Sequence, residues 1–302
     1  MRLAVRRDGD DFPKVEGLTI TTLADLAEAY SGQAFTPTPT CPICTGASTV
    51  AHPAANIHPE KPFRFDFRVC KRCSHGWIDP MPSQGLLSHL YARGSLSVIG
   101  AEWAQIRESV PSLPERIVAG RELQLGHKPR RYFELGVGKG LLYGQFVQSG
   151  WECFGIEPGP WGRGLTDVYT DFDEISPARM ADVIVALDVL EHVADPIGIL
   201  RKLHGIAAPG GRMYCAMPNR QSLRAKLGRE RWRMLRPLGH VNYWSRKSVV
   251  HAMSAAGFNV KELRASDLWE PRPIRSLREM AASGVERLGL GDQWILMAEI
   301  SR

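Results

Sequence analysis

Short apolar runs that alternate with amphipathic stretches dominate the second half of the chain. The run at 181–187 is almost continuously apolar, as is typical of a strand buried on both faces of a parallel sheet. Behind it, apolar residues from Val193 to Leu203 recur at helical spacing, and Asp195 and Ser245 are expected to cap helices. Strands that alternate with helices predict an α/β domain with a mostly parallel sheet. The expected strands occupy residues 131–136, 152–157, 181–187, 212–217, 258–263 and 293–300.

The first half of the chain carries weaker patterns. Residues 1–33 predict a short extension that ends in a helix, and residues 34–40 predict an extended Pro/Thr linker. Phe63, Phe65 and Phe67 alternate with charged residues, which predicts a strand. This strand leads directly into a pair of cysteines.

Four of the six cysteines form two C-x-x-C pairs, Cys41 with Cys44 and Cys70 with Cys73, which 25 residues separate. In a reducing compartment this pattern indicates metal ligation, not disulfide bonds. Each pair directs two thiolates at one point, so two pairs complete a tetrahedral shell for a structural zinc ion. The alternative is a redox C-x-x-C, but redox motifs occur singly, near a βαβ unit.

Composition places the chain among ordinary globular proteins. Of its 302 residues, 44% are hydrophobic, close to the ~45–50% of such chains, which excludes a disordered protein. No apolar run approaches the ~18 residues of a membrane helix, and the N-terminus lacks the apolar core of a secretory signal, so we expect a cytoplasmic protein. The net charge of +6 equals the surplus of one segment, residues 220–236, which holds seven basic residues and one acidic residue.

Three glycines follow the first strand of the second half: Gly136, Gly138 and Gly140. They let a ligand approach the backbone, but their spacing fits neither a P-loop nor a dinucleotide fingerprint. Glu134, two residues before the first glycine, suits an ammonium group and not a pyrophosphate. Glu157, at the end of the second strand, is placed to accept hydrogen bonds from two ribose hydroxyls. The expected ligand therefore has a ribose and an amino group, and no diphosphate.

With these features the sequence resembles a known family. Residues 133–140 resemble motif I of the class I S-adenosylmethionine (SAM) dependent methyltransferases, and residues 188–196 and 239–245 resemble later segments of the same core. Residues 70–91 are similar to the leader of one branch, which has an N-terminal four-cysteine zinc-binding module and includes bacterial sugar C-methyltransferases and related tailoring enzymes. The resemblance implies a Rossmann-like, seven-stranded, mostly parallel sheet with an N-terminal zinc-ribbon-like module. The implied organisation is an extension and linker at 1–40, the zinc-binding module at 41–83, a helical connector at 84–127 and a SAM-dependent methyltransferase domain at 128–302 with a basic lid at 220–238.

The resemblance also assigns cofactor-binding roles. Glu134 is expected to hold the methionine ammonium of SAM, the three glycines to lie under its carboxylate and ribose, and Glu157 to bind the ribose hydroxyls. Asp171 or Phe172 is expected to flank the adenine, and Asp188 to lie beside the methionine moiety. Two alternatives stay open at this point: Asp188 as a helix-entry cap and Glu157 as a plain turn acid.

Methyl transfer to a carbon or hydroxyl acceptor needs a base, because the sulfonium itself is already activated. His240, which aligns with the family histidine that enters the last helix, is the first candidate, although Gly239 replaces the glutamate that often precedes it. Glu191 and His192 are a second candidate pair at the pocket edge. A third interpretation is that Glu191, His192 and His240 hold a divalent metal, with Asp188 nearby. His240 also has a purely structural alternative.

The basic lid is expected to cover the substrate side of the domain. Its cations suit a phosphorylated acceptor such as a nucleotide-linked sugar, whereas a solvated amphipathic helix is the alternative. Trp232 is expected either to stack on a ring of the acceptor or to anchor the lid in the core. The sequence therefore predicts C- or O-methylation of a small anionic metabolite, without a nucleic-acid or membrane partner. RNA methylation and a non-catalytic scaffold are the alternatives, and residues 266–292 are open to a role in the lid or in a homodimer contact.

Overall fold

The computed structural model of the protein describes residues 34–54, 65–92, 111–123, 130–266 and 288–300. The helix expected within residues 1–33, Phe63 and most of 266–292 lie outside the described residues. The strands are β1 (Phe35–Thr36), β2 (Ser48–Ala54), β3 (Phe65–Cys70), β4 (Gly76–Asp79), β5 (Met81–Pro82), β6 (Arg131–Leu135), β7 (Glu152–Ile156), β8 (Val168–Tyr169), β9 (Ala181–Leu187), β10 (Ala207–Pro218), β11 (Asn242–Tyr243), β12 (Phe258–Ser266) and β13 (Gln293–Ile300). The helices are α1 (Gln84–Ala92), α2 (Leu113–Glu122), α3 (Leu141–Gln148), α4 (Pro196–Gly205), α5 (Leu223–Gly228) and α6 (Arg246–Ala255).

Seven strands form one sheet in the order β8-β7-β6-β9-β10-β13-β12. β6 lies inside this sheet and pairs in parallel with both β7 and β9. β13 runs antiparallel to both of its neighbours, β10 and β12. The connection reverses direction at β6, and open α/β sheets bind ligands outside the carboxyl ends of the strands at such a switch point. The expected mostly parallel, seven-stranded fold is confirmed.

Apolar clusters cover both faces of this sheet. Tyr132 and Phe133 are consecutive residues of β6, and they belong to separate clusters because successive strand residues point to opposite faces. Leu200 of α4 joins the cluster of Phe133, and Phe146 of α3 joins that of Tyr132. None of the helices among the described residues is long and apolar enough to cross a membrane.

Two strands differ from the expectation. The sequence pattern predicts no strand at β8, because two residues are too few to display an alternation. β10 begins at Ala207, ahead of the expected strand at 212–217, and runs through the Pro-Gly-Gly segment. Its pairing with β9 shifts register between Ala207 and Arg212. A bulge therefore absorbs residues that are otherwise typical of a turn.

A second, antiparallel sheet contains β2, β3 and β4. Its fourth strand is β11, which comes after β10 of the large sheet in the chain. On β3, Phe65 and Phe67 are buried and the residue between them is exposed, as their alternation predicts. β1 pairs with β5, so the extended segment 34–40 lies along this module. The amide of Thr38 donates to Asp79 Oδ1 at 2.7 Å. The zinc-ribbon-like module is thus completed by segments on both sides of its own residues.

The turn of the second cysteine pair is docked on β11 and the start of α6. His75 is fully buried, with its Nε2 2.9 Å from Asn242 Oδ1 and its Nδ1 3.4 Å from Ser248 Oγ. Burial lowers the pKa of His75 to about 3, so the ring is neutral. Ser245, which caps α6, also donates its Oγ–H to the carbonyl oxygen of Cys73 at 2.6 Å. Hydrogen bonds between neutral groups therefore join the turn of the second cysteine pair to β11 and α6.

The side chain of Asp292 holds the basic segment, residues 220–236, by hydrogen bonds and ion pairs. The residue is fully buried, and its Oδ1 accepts hydrogen bonds from Ser222 Oγ at 2.6 Å and Trp232 Nε1 at 3.0 Å. Its Oδ2 lies 3.4 Å from Arg224 Nη1 and 3.5 Å from Arg233 Nε. Trp232 therefore anchors the lid in the core, which is one of the two roles that the sequence leaves open.

Replacing Asp292 by Ala is expected to destabilise the protein by about 2 kcal/mol, because the buried donors of Ser222 and Trp232 lose their acceptor. Urea unfolding measures this loss: the urea concentration at the midpoint of the transition should fall, and the slope of the free energy of unfolding against urea should stay unchanged. Glu230→Ala, which removes an exposed acid of the same segment, is the control and should change stability by no more than about 0.5 kcal/mol. Equal midpoints for Asp292→Ala and the wild type would mean that other contacts hold the segment.

Candidate functional site

The glycine turn lies at the carboxyl end of β6. The amide of Gly136 donates to the carbonyl oxygen of Ile156 at 2.8 Å, which ties the turn to β7. Gly136, Gly138 and Gly140 have φ angles of +79°, +55° and +78°, in the region that favours glycine. A Cβ at Gly138 would meet no atom of the described residues within 4 Å. The turn therefore offers a ligand close access to its backbone.

Glu157 follows β7 and contacts the glycine turn. Its Oε2 accepts a hydrogen bond from the amide of Gly138 and its Oε1 one from the amide of Gly159, both at 2.7 Å. Burial raises the pKa of this carboxyl group, and the two amide donors oppose the shift. Because each carboxylate oxygen has two lone pairs, both oxygens retain an acceptor site for ligand hydroxyls. The carboxylate is thus hydrogen-bonded both to its own turn and to the glycine turn, and its role toward ribose hydroxyls stays a prediction.

Glu134 is buried on β6, on the face that carries Tyr132. The hydroxyl of Tyr132 donates to Glu134 Oε2 at 2.8 Å. Burial raises the pKa of Glu134 to about 8, with further contributions from the charges of Glu115 and Glu157. The group is therefore mostly protonated at neutral pH, and a ligand ammonium beside it would favour the carboxylate. Sequence reasoning missed Tyr132, although its position two residues earlier on the same strand could have indicated it.

Asp188 follows β9 with a φ angle of +55°, which is uncommon for a residue other than glycine. Its Oδ1 accepts a hydrogen bond from Gln293 Nε2 at 2.6 Å. The helix-entry cap belongs instead to Asp195, whose Oδ1 accepts from the amide of Gly198 at 2.9 Å. Gln293 was missed from the sequence, because no local pattern links residues 105 positions apart.

The expected adenine-flanking residues lie after β8. Asp171 is exposed and caps a short 3-10 turn, with its Oδ1 accepting from the amide of Asp173 at 3.2 Å. Phe172 is half-buried, with its ring centroid 6.1 Å from that of Phe133 and the Lys202 Nζ 5.2 Å from its ring. Both side chains have contacts within the protein, and their role at an adenine stays a prediction.

Glu191, His192 and His240 come together beyond the end of β9. One potential ligand atom of each lies within 4.8 Å of the others, and the two imidazole centroids are 4.8 Å apart. The amide of Val241 donates to the carbonyl oxygen of Glu191 at 2.7 Å, which joins the two loops. The fold thus gathers all the base candidates of the sequence into one cluster. Which of them acts as a base stays a prediction.

Aromatic rings connect this cluster with the segment that follows Glu157. Tyr91 of α1 lies 6.5 Å from His192 and 5.2 Å from Trp161, measured between ring centroids. A Cβ at Gly159 would lie 2.4 Å from Trp161 Cε3, so only glycine leaves room for this ring beside Glu157. Trp161 was missed from the sequence, because a single tryptophan after a Pro-Gly-Pro turn carries no periodic signal.

The four cysteines of the two C-x-x-C pairs form a buried cluster. The Sγ atoms of Cys41 and Cys73 are 3.6 Å apart, and those of Cys44 and Cys70 are 3.5 Å apart. Four sulfurs at ~2.3 Å from a zinc ion lie ~3.8 Å from one another, so the spacing fits a tetrahedral ion. A Cβ at Gly46 would lie 3.2 Å from Cys70 Sγ and 3.3 Å from Cys44 Sγ, so this glycine leaves room for the sulfurs.

Backbone donors support the thiolate form of one member, Cys70, whereas burial raises the pKa of Cys44 and the hydrogen bond with Cys41 raises the pKa of Cys73. Burial alone would raise the pKa of Cys70, but the amides of Cys73 and Arg72 donate to its sulfur and bring the pKa down to about 7. A four-thiolate shell leaves no open position for a substrate. The cluster therefore fits a structural ion and not a catalytic one.

Several cations of the basic segment contact other groups of the protein. Arg220 Nη1 donates to a carbonyl oxygen beside the second cysteine pair at 2.8 Å, and Arg236 Nε donates to the carbonyl oxygen of Arg233 at 2.8 Å. Together with Arg224 and Arg233 on the buried aspartate, four of the seven cations serve contacts within the protein. The expectation that the cations of this segment suit a phosphorylated acceptor therefore depends mainly on the other three, and it stays a prediction.

A cleft of about 220 Å³ lies between the cysteine module and this segment. Its walls combine three cations with aromatic rings and a histidine. The charged and aromatic lining residues are His52, Phe67, Arg220, Lys226, Arg229 and Trp232.

A parallel sheet of this order, with a glycine turn and a buried acid at its carboxyl edge, defines a Rossmann-like cofactor-binding domain. The family model described as "Methyltransferase domain" matches residues 103–263, more than half of the chain. The chain belongs to this methyltransferase domain family.

Two curated relatives are ubiquinone biosynthesis O-methyltransferases. The protein from Pseudomonas aeruginosa (strain LESB58) is 29% identical over 154 residues, which cover 44% of this chain and 66% of the relative. The protein from Rhodopseudomonas palustris (strain HaA2) is 28% identical over 102 residues, which cover 30% of this chain and 40% of the relative. The chain thus spans less than two thirds of the length of these relatives.

Solved structures with a similar fold are more distant in sequence. One is 1,6-didemethyltoxoflavin-N1-methyltransferase of Burkholderia thailandensis with bound 1,6-didemethyltoxoflavin and S-adenosylhomocysteine, at 14% identity and a TM-score of 0.49, covering 83% of this chain and 100% of that one. Another is a SAM dependent methyltransferase from Archaeoglobus fulgidus, at 14% identity and a TM-score of 0.48, covering 66% of this chain and 99% of that one. Similarities this distant do not identify an acceptor.

Proposed function

We propose that the protein is a SAM-dependent methyltransferase that methylates a hydroxyl group of a small anionic metabolite. The observation that carries the proposal is the pair of buried carboxyl groups, Glu134 and Glu157, on either side of the glycine turn. We assign one to the ammonium group of SAM and the other to its ribose hydroxyls, and the family match supports the same cofactor.

The chemistry divides between the cofactor and the chain. Bound SAM supplies the methyl group: its S–CH3 bond breaks with the electron pair left on sulfur, while an O–CH3 bond forms and the hydroxyl proton leaves. Glu134 and Glu157 fix the two ends of the cofactor, and Asp188, oriented by Gln293, lies at the end of β9 beside the methionine moiety. The cluster of Glu191, His192 and His240 is where the acceptor hydroxyl loses its proton. We favour oxygen over carbon because the curated relatives are named O-methyltransferases.

The acceptor we propose is phosphorylated, such as a nucleotide-linked sugar or a related tailoring intermediate. Support comes from the cleft beside Lys226 and Arg229, whose cations suit a diphosphate, while Trp232 and Phe67 provide aromatic surface in its walls.

We propose that the four thiolates hold one structural zinc ion. Tetrahedral sites of four cysteines stabilise folding directly. The second pair of ligands lies next to His75 and carries the carbonyl to which Ser245 donates, so the ion also fixes the segment that leads from His240 into α6.

SAM binding is expected to release about one proton per site at pH 7. Glu134, with a pKa of about 8, is protonated in the free protein and must ionise when the ligand ammonium binds. Calorimetry in two buffers of different ionisation enthalpy measures this number, and Glu134→Gln should reduce it to near zero and weaken SAM binding. Glu152→Gln, an exposed acid on the neighbouring strand, should behave as the wild type. Failure of the wild type to bind SAM would overturn the proposed function.

The purified protein is expected to retain one zinc ion per chain after dialysis against a chelator. The double variant Cys41→Ser/Cys70→Ser should retain none, because each pair then has a single thiolate. Elemental analysis gives the count, and Cys153→Ala, which removes a buried thiol of the large sheet, should keep the ion. A zinc-free wild type with intact thiols would contradict the assignment.

The double variant Lys226→Ala/Arg229→Ala is expected to weaken binding of UDP, used as a probe, at least tenfold, because two charge-assisted contacts disappear. Calorimetry checks this, with SAM binding unchanged. Arg231→Ala removes an exposed cation that does not line the cleft and serves as the control. Identical UDP affinities in all three proteins would contradict the proposal that the acceptor binds in this cleft.

A further inference from the structure

The cluster of Glu191, His192 and His240 has a feature that a plain acid–base site does not require. His192 Nδ1 lies 2.5 Å from the carbonyl oxygen of Gly239, and His240 Nδ1 lies 2.9 Å from the carbonyl oxygen of Met234. A carbonyl oxygen can only accept, so each Nδ1 carries a proton. In the neutral ring the lone pair then belongs to Nε2, on both histidines alike.

Histidines that bind metals have this arrangement, with one nitrogen donating to a backbone carbonyl and the other facing the ion. The cluster combines two such imidazoles with the Glu191 carboxylate, which is 1% exposed. His192 Nε2 lies 4.0 Å from Glu191 Oε1. Two atoms that each ligate one ion at ~2.1 Å lie at most ~4.2 Å apart. The longest separation in the cluster, at most 4.8 Å, therefore has to shorten by only about 0.6 Å.

We infer that Glu191, His192 and His240 bind one divalent first-row transition-metal ion, separate from the ion of the four cysteines. Two imidazoles and one carboxylate are a ligand set typical of such ions, and three protein ligands leave open positions for exogenous oxygen atoms. The 2+ charge also balances a carboxylate that the fold holds almost completely out of water.

The role of the ion rests on the proposed function. An acceptor hydroxyl bound at an open position loses its proton near neutral pH, because a Lewis acid lowers the pKa of a coordinated hydroxyl. The O–H bond breaks, the proton passes to a water molecule, and the oxygen keeps the electron pair that forms the bond to the methyl carbon. His240 and His192 then act as ligands and not as bases. An acceptor with two adjacent oxygens fits best, since it can occupy two open positions.

Metal binding is measured without reference to turnover. After equilibrium dialysis against Zn²⁺ the wild type should hold two zinc ions per chain, and His192→Gln should hold one. His192 is 25% exposed, so its substitution leaves the buried members of the cluster in place. His251→Gln, a half-exposed histidine on α6, is the control and should hold two.

Titration of the chelator-dialysed protein, which keeps only the zinc ion of the four cysteines, with Mn²⁺, followed by electron paramagnetic resonance, counts the second site independently. Mn²⁺ is weakest in the divalent series and does not displace zinc from thiolates. The wild type should bind one Mn²⁺, and His192→Gln should bind it at least tenfold more weakly. The inference holds if either metal occupies a site that His192→Gln weakens. It is overturned if neither Zn²⁺ nor 1 mM Mn²⁺ binds beyond the ion of the four cysteines, or if His192→Gln retains the site.

Calorimetric SAM titrations of the same proteins separate the two hypotheses. SAM binding without a second metal site overturns the inference and leaves the proposed function standing. A second metal site without SAM binding leaves the site intact and overturns the role given to it in methyl transfer.

Discussion

The docking of the second cysteine pair on the segment 239–248 is the interaction on which the rest of the structure depends. Here the buried ring of His75 is held between Asn242 and Ser248, and Ser245 binds the carbonyl oxygen of Cys73. The same segment carries His240 and donates from its backbone to Glu191. The cysteine module, the cluster of Glu191, His192 and His240 and the start of α6 are therefore positioned by one set of hydrogen bonds among neutral, buried groups.

A second connection runs through consecutive residues of the C-terminal region. Asp292 holds the basic segment by Ser222 and Trp232, and Gln293 orients Asp188 at the cofactor side of the sheet. Adjacent residues of one segment therefore contact both the basic segment and the residue that follows β9. The antiparallel strand β13, which begins at Gln293, thus contacts Asp188 as well as pairing with β10 and β12.

The sequence predicted the parts of this protein that depend on local patterns. The buried strand at 181–187, the glycine turn and the four cysteines are recognisable because periodicity and spacing encode them. The partners of those residues were not recognisable. Gln293 on Asp188 and β11 on the cysteine module come from distant segments, whereas Trp161 follows Glu157 closely but carries no periodic signal. Residues 220–236 do carry the surplus of positive charge that the sequence shows. Four of their seven cations, however, contact other groups of the protein. Charge along a chain does not indicate where side chains point.

The strand that β11 adds to the small sheet has a consequence for the order of folding. His75 and Asn242 are 167 residues apart in the chain, so the cysteine module leaves the ribosome long before its last strand exists. Until then β4 has an open edge, and unpaired edges invite association with other chains. Early capture of a metal ion by the two cysteine pairs would order this module while it waits. The proposed zinc ion would therefore stabilise this module during synthesis as well as in the folded protein.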